Sequence, residues 1–262
     1  MPHIEKHPPG AFCWIELATT DQNAAKNFYG QLFGWGVHDF PMGPNDFYSM
    51  FQREGRDICA ACTMRAEQRS QGVPPHWMIY VAVESADAAA NRAAPLGGKV
   101  LAPAFDVFDA GRMSVLQDPT GAVFSVWQAK RHAGTGITGV DGTLCWADLS
   151  TPDQEHASLF YRDLFGWKIV QGENDPSGYL HIVNGEEFIG GIPPAARRNP
   201  NIPPHWLAYF AVSVCDATAA KAKDLGATFH LAPMTLENVG RMAVLADPQG
   251  AVFAIFQSAH RQ

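Results

Sequence analysis

Two stretches of this sequence set a carboxylate two residues after a tryptophan: Cys13-Trp14-Ile15-Glu16 and Cys145-Trp146-Ala147-Asp148. Residues two apart on a β-strand share a face, so each acid stands beside its indole. An acid in an apolar setting resists ionisation and can serve as a general base. At a wet rim, or paired with arginine, the same acid is structural. His76 and His205 each follow Pro-Pro at the start of an apolar run. A histidine there could donate to a ligand oxygen or shuttle a proton; the plain alternative is that Pro-Pro-His-Trp fixes an extended segment and buries its tryptophan. Cys59-Ala-Ala-Cys62 has a metal-like spacing. On a strand, however, positions three apart face opposite ways, so the pair reads as buried thiols. Arg112 and Arg241 stand six residues before Asp118 and Asp247, a spacing that lets strand and turn pair them, with anion binding as the alternative.

The elements that must position these residues are written twice. FCWIELATTD (12–21) matches LCWADLSTPD (144–153), FYGQLFGW (28–35) matches FYRDLFGW (160–167), and PPHW recurs at 74–77 and 203–206. GRMSVLQDPTGAVFSVWQ (111–128) then matches GRMAVLADPQGAVFAIFQ (240–257). Repeats this far apart are duplicated domains rather than solenoid units. One spans 10–130 and the other 142–258, with 131–141 as a glycine-rich linker. Alternation predicts a strand from Phe12 to Ala18. Thr19-Thr20-Asp21-Gln22 and Thr151-Pro152-Asp153-Gln154 read as capping boxes that start helices. Ala25, Phe28 and Leu32 share a helical face, and Gly34 caps its end, so the repeated FYGQLFGW records packing rather than chemistry. Short strands follow near 35–40, 46–52 and 57–64, then a strand at 76–83, an alanine-rich helix at 85–97, and strands near 99–103, 105–117 and 121–128. Each copy is therefore βαβββ twice over.

With 262 residues, 47% hydrophobic and 17% charged, each half can bury its own core. A net charge of −7 and the absence of any Lys/Arg run argue against nucleic acid as a partner. Neither an export signal nor a membrane span is visible, and five cysteines are too few and too scattered for a disulfide framework. The expected setting is cytoplasmic.

The paired βαβββ modules, the FY..LFGW helix end and the closing DPTGAVF and DPQGAVF together resemble the vicinal oxygen chelate superfamily, which includes glyoxalase I, bleomycin-resistance proteins and extradiol dioxygenases. The likeness is to its tandem glyoxalase-like members, some labelled hydroxylases without a demonstrated reaction. The resemblance implies an α+β fold of four βαβββ modules, forming two domains with cupped mixed or antiparallel sheets. It also implies a metal held by His and Glu from set strands. Those positions fall here on Trp14 and Trp146, Met78 and Leu207, Ser125 and Ala254, and residues 59–61 and 189–191, where no carboxylate or imidazole stands. The expectation is therefore a cup with no metal and no other cofactor.

Residues of the same parity as those positions should line the cups. They are Trp14, Glu16, His76, Met78, Tyr80, Val123, Ser125 and Trp127 in the first copy, and Trp146, Asp148, His205, Leu207, Tyr209, Val252, Ala254 and Phe256 in the second. Aromatic rings with a few polar groups suit a small molecule. Tyr80 and Tyr209 either anchor it or are core tyrosines with satisfied hydroxyls. His38, Tyr48 and Cys59 find no chemical equals in the second copy, whose loop is rewritten around Asn174 to Gly178, so the cups should bind differently. The leading expectation is a binding protein for a hydrophobic or aromatic metabolite, as a two-domain monomer or a homodimer. The rivals are an enzyme of lyase, isomerase or aldehyde-detoxifying type using Glu16 or Asp148 as base, a metal-dependent glyoxalase or dioxygenase, and a purely structural or regulatory module.

Overall fold

Sixteen strands form two sheets of eight, one per copy, in this computed structural model, which describes residues 4–44, 46–172 and 175–260. The first copy runs β1 (Phe12–Thr19), α1 (Gln22–Phe33), β2 (Gly36–Gly43), β3 (Asp46–Arg53), β4 (Arg56–Thr63), α2 (Ala66–Ser70), β5 (His76–Ala82), α3 (Ala86–Ala93), β6 (Lys99–Val107), β7 (Gly111–Gln117) and β8 (Val123–Ala129). The second runs β9 (Leu144–Ser150), α4 (Gln154–Phe165), β10 (Lys168–Gln171), β11 (Leu180–Asn184), β12 (Glu187–Ile192), β13 (His205–Ala211), α5 (Cys215–Asp224), β14 (Thr228–Leu236), β15 (Gly240–Ala246) and β16 (Val252–Ser258). The strand orders are β2-β3-β4-β1-β5-β8-β7-β6 and β10-β11-β12-β9-β13-β16-β15-β14. The two modules of each copy thus join through the antiparallel pairs β1–β5 and β9–β13.

Local chemistry corrects several boundaries. The helix caps are Asp21 and Asp153, which accept from Ala24 N and His156 N, rather than the preceding threonines. The glutamine of each predicted box reaches the strands instead: Gln22 donates to the carbonyls of Phe47 and Ala61, and Gln154 to those of Gly178 and Ile192. The predicted helix 85–97 stops being α-helical after Ala93 and ends as one 3₁₀ turn containing Pro95, whose ring and missing N–H oppose a further α-turn. The strand expected at 105–117 is broken at Phe108, where a positive φ of 46° makes the hairpin turn. Pro103 is tolerated within β6 because the register shifts there.

One large apolar cluster takes Ile15, Phe28, Trp77 and Phe124 from the first copy and Leu149, Phe160, Trp206 and Phe253 from the second. The repeated helix end is built into this shared core. Tyr29 donates to Asp247 at 3.0 Å and Tyr161 to Asp118 at 3.0 Å, while Trp77 and Trp206 donate to those same tyrosine oxygens. Trp35 and Trp167 reach the carbonyls of Gly142 and Gly10. Asp118 and Asp247 therefore do not pair with Arg112 and Arg241. Each folds its turn by accepting backbone N–H groups, three for Asp118, and gives its other oxygen to the opposite copy. The arginines instead clamp α3 and α5 through bidentate contacts to Asp87 and Asp216. Among the described residues no helix is long and apolar enough to cross a membrane.

Candidate functional site

The sheet face turned away from the shared core carries a separate cluster in each copy. In the first it holds Trp14, Met50, Tyr80 and Trp127, with Tyr48, Met78 and Met113 against them. In the second it holds Tyr209, Met242 and Ala254, with Trp146, Leu207, Val244 and Phe256. Strand register explains the grouping, since Trp14 pairs with Tyr80 and Tyr80 with Ser125, just as Trp146 pairs with Tyr209 and Tyr209 with Ala254. Glu16 and Asp148 lie opposite Met78 and Leu207.

Each carboxylate gathers the polar groups of its cup. Asp148 accepts from Trp146 Nε1 at 3.0 Å and Tyr179 Oη at 2.5 Å on one oxygen, and from Tyr209 Oη at 2.7 Å on the other. Burial pushes its pKa up, and the two tyrosines, the indole and the charge of His181 partly oppose that rise. Burial also raises Glu16, opposed by Tyr48, Cys62 and Tyr80, with the Cys62 thiol 3.6 Å away. Trp14 donates to Tyr48 Oη at 3.2 Å, as Trp146 does to Tyr179 Oη at 2.8 Å. Tyr48 thus has a counterpart after all. In the register, Met50 lies opposite Ala60 and Ala60 opposite Glu16, while His181 lies opposite Gly191 and Gly191 opposite Asp148, which makes Tyr48 and Tyr179 equivalent. The match was hidden because the second copy is shorter before Tyr179; of the loop singled out there, Asn174 lies outside the described residues. Gly191 is required at its position, because a Cβ there would collide with the Tyr179 hydroxyl.

In the second copy a hollow of about 180 Å³ opens beside this constellation. The sheet contributes Asp148, His205, Leu207 and Tyr209, and the segment after β12 contributes Arg197 and Arg198. His205 and His76 each hold a proline carbonyl through Nδ1, at 2.8 Å from Pro203 O and 2.9 Å from Pro74 O. This assigns the proton to Nδ1 and leaves Nε2 as an acceptor. Burial lowers the His205 pKa, and the Arg198 charge lowers it further. Phe256 and Trp146 belong to the neighbouring cluster and do not line the hollow. Ser125 is fully buried opposite Tyr80, whose hydroxyl it influences through a side-chain hydrogen bond. The sequence reading missed Tyr179, Arg197 and Arg198.

In the first copy the Trp14 and Trp127 part of the cup is covered. The His132 ring packs edge-on against Trp14 at 4.7 Å and Trp127 at 6.3 Å, and Trp127 Nε1 donates to the His132 carbonyl at 2.9 Å. The linker that carries it is pinned, with Thr135 N on Cys13 O at 2.7 Å and Gly136 N on Asp57 O at 2.8 Å. Gly134 is needed there, since it has φ +114° and a Cβ would strike the Cys13 carbonyl.

Among the described residues no group of three or more His, Cys, Asp and Glu side chains could hold a metal ion. Cys59 is buried in the shared core while Cys62 lies half-buried beside Glu16, on the other face.

A family model described as "Glyoxalase/Bleomycin resistance protein/Dioxygenase superfamily" matches residues 11–126 and again 143–255. "Putative glyoxylase CFP32" of Mycobacterium tuberculosis is 42% identical, with both chains covered completely. "Anthracycline biosynthesis protein DnrV" of Streptomyces peucetius is 32% identical over 97% of this chain and 95% of its own. Among solved structures, the Mn(II)-bound glyoxalase from Novosphingobium aromaticivorans superposes with a TM-score of 0.65 at 16% identity, covering 97% of this chain and 86% of its own.

Proposed function

The chain belongs to the glyoxalase/bleomycin resistance protein/dioxygenase superfamily, and on that premise we propose that it binds a small aromatic metabolite in its second cup, by ring contacts and hydrogen bonds and without a metal ion. The observation that carries this is the convergence of Trp146, Tyr179 and Tyr209 on Asp148 at the edge of the hollow. Superfamily metal positions fall on Trp146, Leu207 and Ala254, whose side chains offer rings and hydrocarbon rather than lone pairs. The relatives named for anthracycline biosynthesis point the same way, because anthracyclines are planar aromatic compounds. Size then selects among aromatics. A cavity of roughly 150 Å³ holds benzene, so about 180 Å³ suits one substituted ring better than a fused polycycle.

Calorimetry on the purified chain against single-ring and fused-ring aromatics tests this reading. The expected result is binding of a single-ring compound, weakened at least tenfold by Tyr209→Leu, which removes a ring that lines the hollow, and unchanged after dialysis against a chelator. Absence of heat with every aromatic would sink it, and loss of binding on chelation would restore a metal-dependent reading.

A second reading, general-base catalysis, is favoured by the raised pKa of Asp148. Against it, three donors already occupy its oxygens. If Asp148→Asn keeps ligand affinity but stops product formation, the acid is a base; if no product forms with the unaltered chain, it is a binding group.

A further inference from the structure

We infer that the ligand of the second cup is a one-ring aromatic hydroxy acid, held by its carboxylate at Arg198 and Arg197 and by its hydroxyl at Asp148. This rests on the proposed binding role and adds the charge and polarity of the molecule bound.

The cationic end comes first. Arg112, Arg131, Arg162 and Arg241 all sit within salt-bridge distance of a carboxylate. No described carboxylate lies that close to Arg197 or Arg198. Arg198 directs Nη2 to the Ile202 carbonyl, which fixes the guanidinium beside the hollow that it lines. Asp175 feels the Arg197 charge, but both its oxygens are engaged by Ser177. A carboxylate matches the guanidinium fork in shape as well as charge.

Asp148 and His205 give the hollow its acceptors. A carboxylate offers about four lone-pair sites, and donors from three side chains reach Asp148, so one site remains for a ligand hydroxyl. His205, with its proton on Nδ1, presents a second acceptor at Nε2. Leu207 and the Tyr209 ring also line the hollow and suit an aromatic body. Two arginines against one buried acid give this lining a formal charge of +1, and a monoanion brings it to neutrality. The first copy lacks this pair, because Gln68 and Arg69 stand where the repeat offset of 129 places Arg197 and Arg198.

The test is calorimetric titration of the intact chain with 3- and 4-hydroxybenzoate, benzoate and phenol. One hydroxybenzoate isomer is expected to bind at least tenfold more tightly than either benzoate or phenol. Arg198→Gln should weaken hydroxybenzoate and benzoate at least tenfold and leave phenol within twofold, with thermal unfolding showing that the variant is folded. Arg197→Gln supplies the independent check should Arg198→Gln unfold. If phenol binds as tightly as its acids, or neither arginine variant discriminates, the acid assignment is wrong while aromatic binding stands. If no compound of any charge binds, including neutral single-ring aromatics, the binding role itself fails.

Discussion

On the first sheet the linker returns across the cup, and Trp127 anchors it by donating to the His132 carbonyl while its ring meets the imidazole. On the second sheet the matching strand residue is Phe256, which has no N–H to offer, and the hollow beside Asp148 lies open. Trp14 is accordingly 5% exposed, whereas Trp146 is only partly buried. Both cups keep a carboxylate (Glu16 or Asp148), an indole and two tyrosines, so the copies share a floor and differ in its cover. The lesson is that a shared floor can be presented or covered by a segment outside the sheet, held by the Trp127 indole together with the Thr135 and Gly136 backbone.

The largest effect should separate the two acids. Asp148→Ala strands the buried Tyr179 and Tyr209 hydroxyls, while Trp146 keeps Tyr179 Oη, and at about 1 kcal/mol or more each should cost about 2–3 kcal/mol in urea unfolding. Glu16→Ala removes a partly exposed carboxylate, one of whose donors is the weak Cys62 thiol, and should cost about 1 kcal/mol. Equal losses would break the distinction. Removing the cover sharpens the comparison next: His132→Gly should raise the number of aromatic ligands bound per chain from one to two in calorimetry, and an unchanged stoichiometry would show that His132 is not the seal. Where the copies are alike, their responses should be alike. Tyr29→Phe and Tyr161→Phe each leave a buried aspartate oxygen and a tryptophan N–H unmatched, and both should cost about 1–2 kcal/mol.

The smallest effect is a pH slope. Burial lowers the His132 pKa below its ordinary 6.5, and His7 nearby lowers it further against the opposing pull of Asp57. The unfolded chain then binds the proton more readily than the folded one, so stability is complete above pH 6.5 and falls as pH drops toward the folded value. His7 is lowered as well and contributes in the same direction. His132→Phe should flatten part of this slope in unfolding curves taken between pH 5 and 7.5, and an identical slope would assign it to other groups.

The duplication and most elements were legible because periodicity and turn residues act locally: Gly34 and Gly166 do cap their helices, with φ of 71° and 77°. Less legible was anything set by contacts distant in sequence. The partners of Asp118 and Asp247 come from the opposite copy, more than forty residues away, which no spacing argument reaches. The parity argument grouped Trp146, Asp148, Leu207 and Tyr209 on one face, since strand alternation is a local rule. It passed over Tyr179 because a length change shifts the register, and over Arg197 and Arg198 because they lie in a connecting segment that no periodicity describes.

The exchange of tyrosine hydroxyls between copies has a consequence for how the polypeptide comes apart. A protease nick within 131–141 should yield fragments that stay together and melt as a single transition. Either fragment prepared alone would expose severed aromatic surface to water and should aggregate until its complement is supplied.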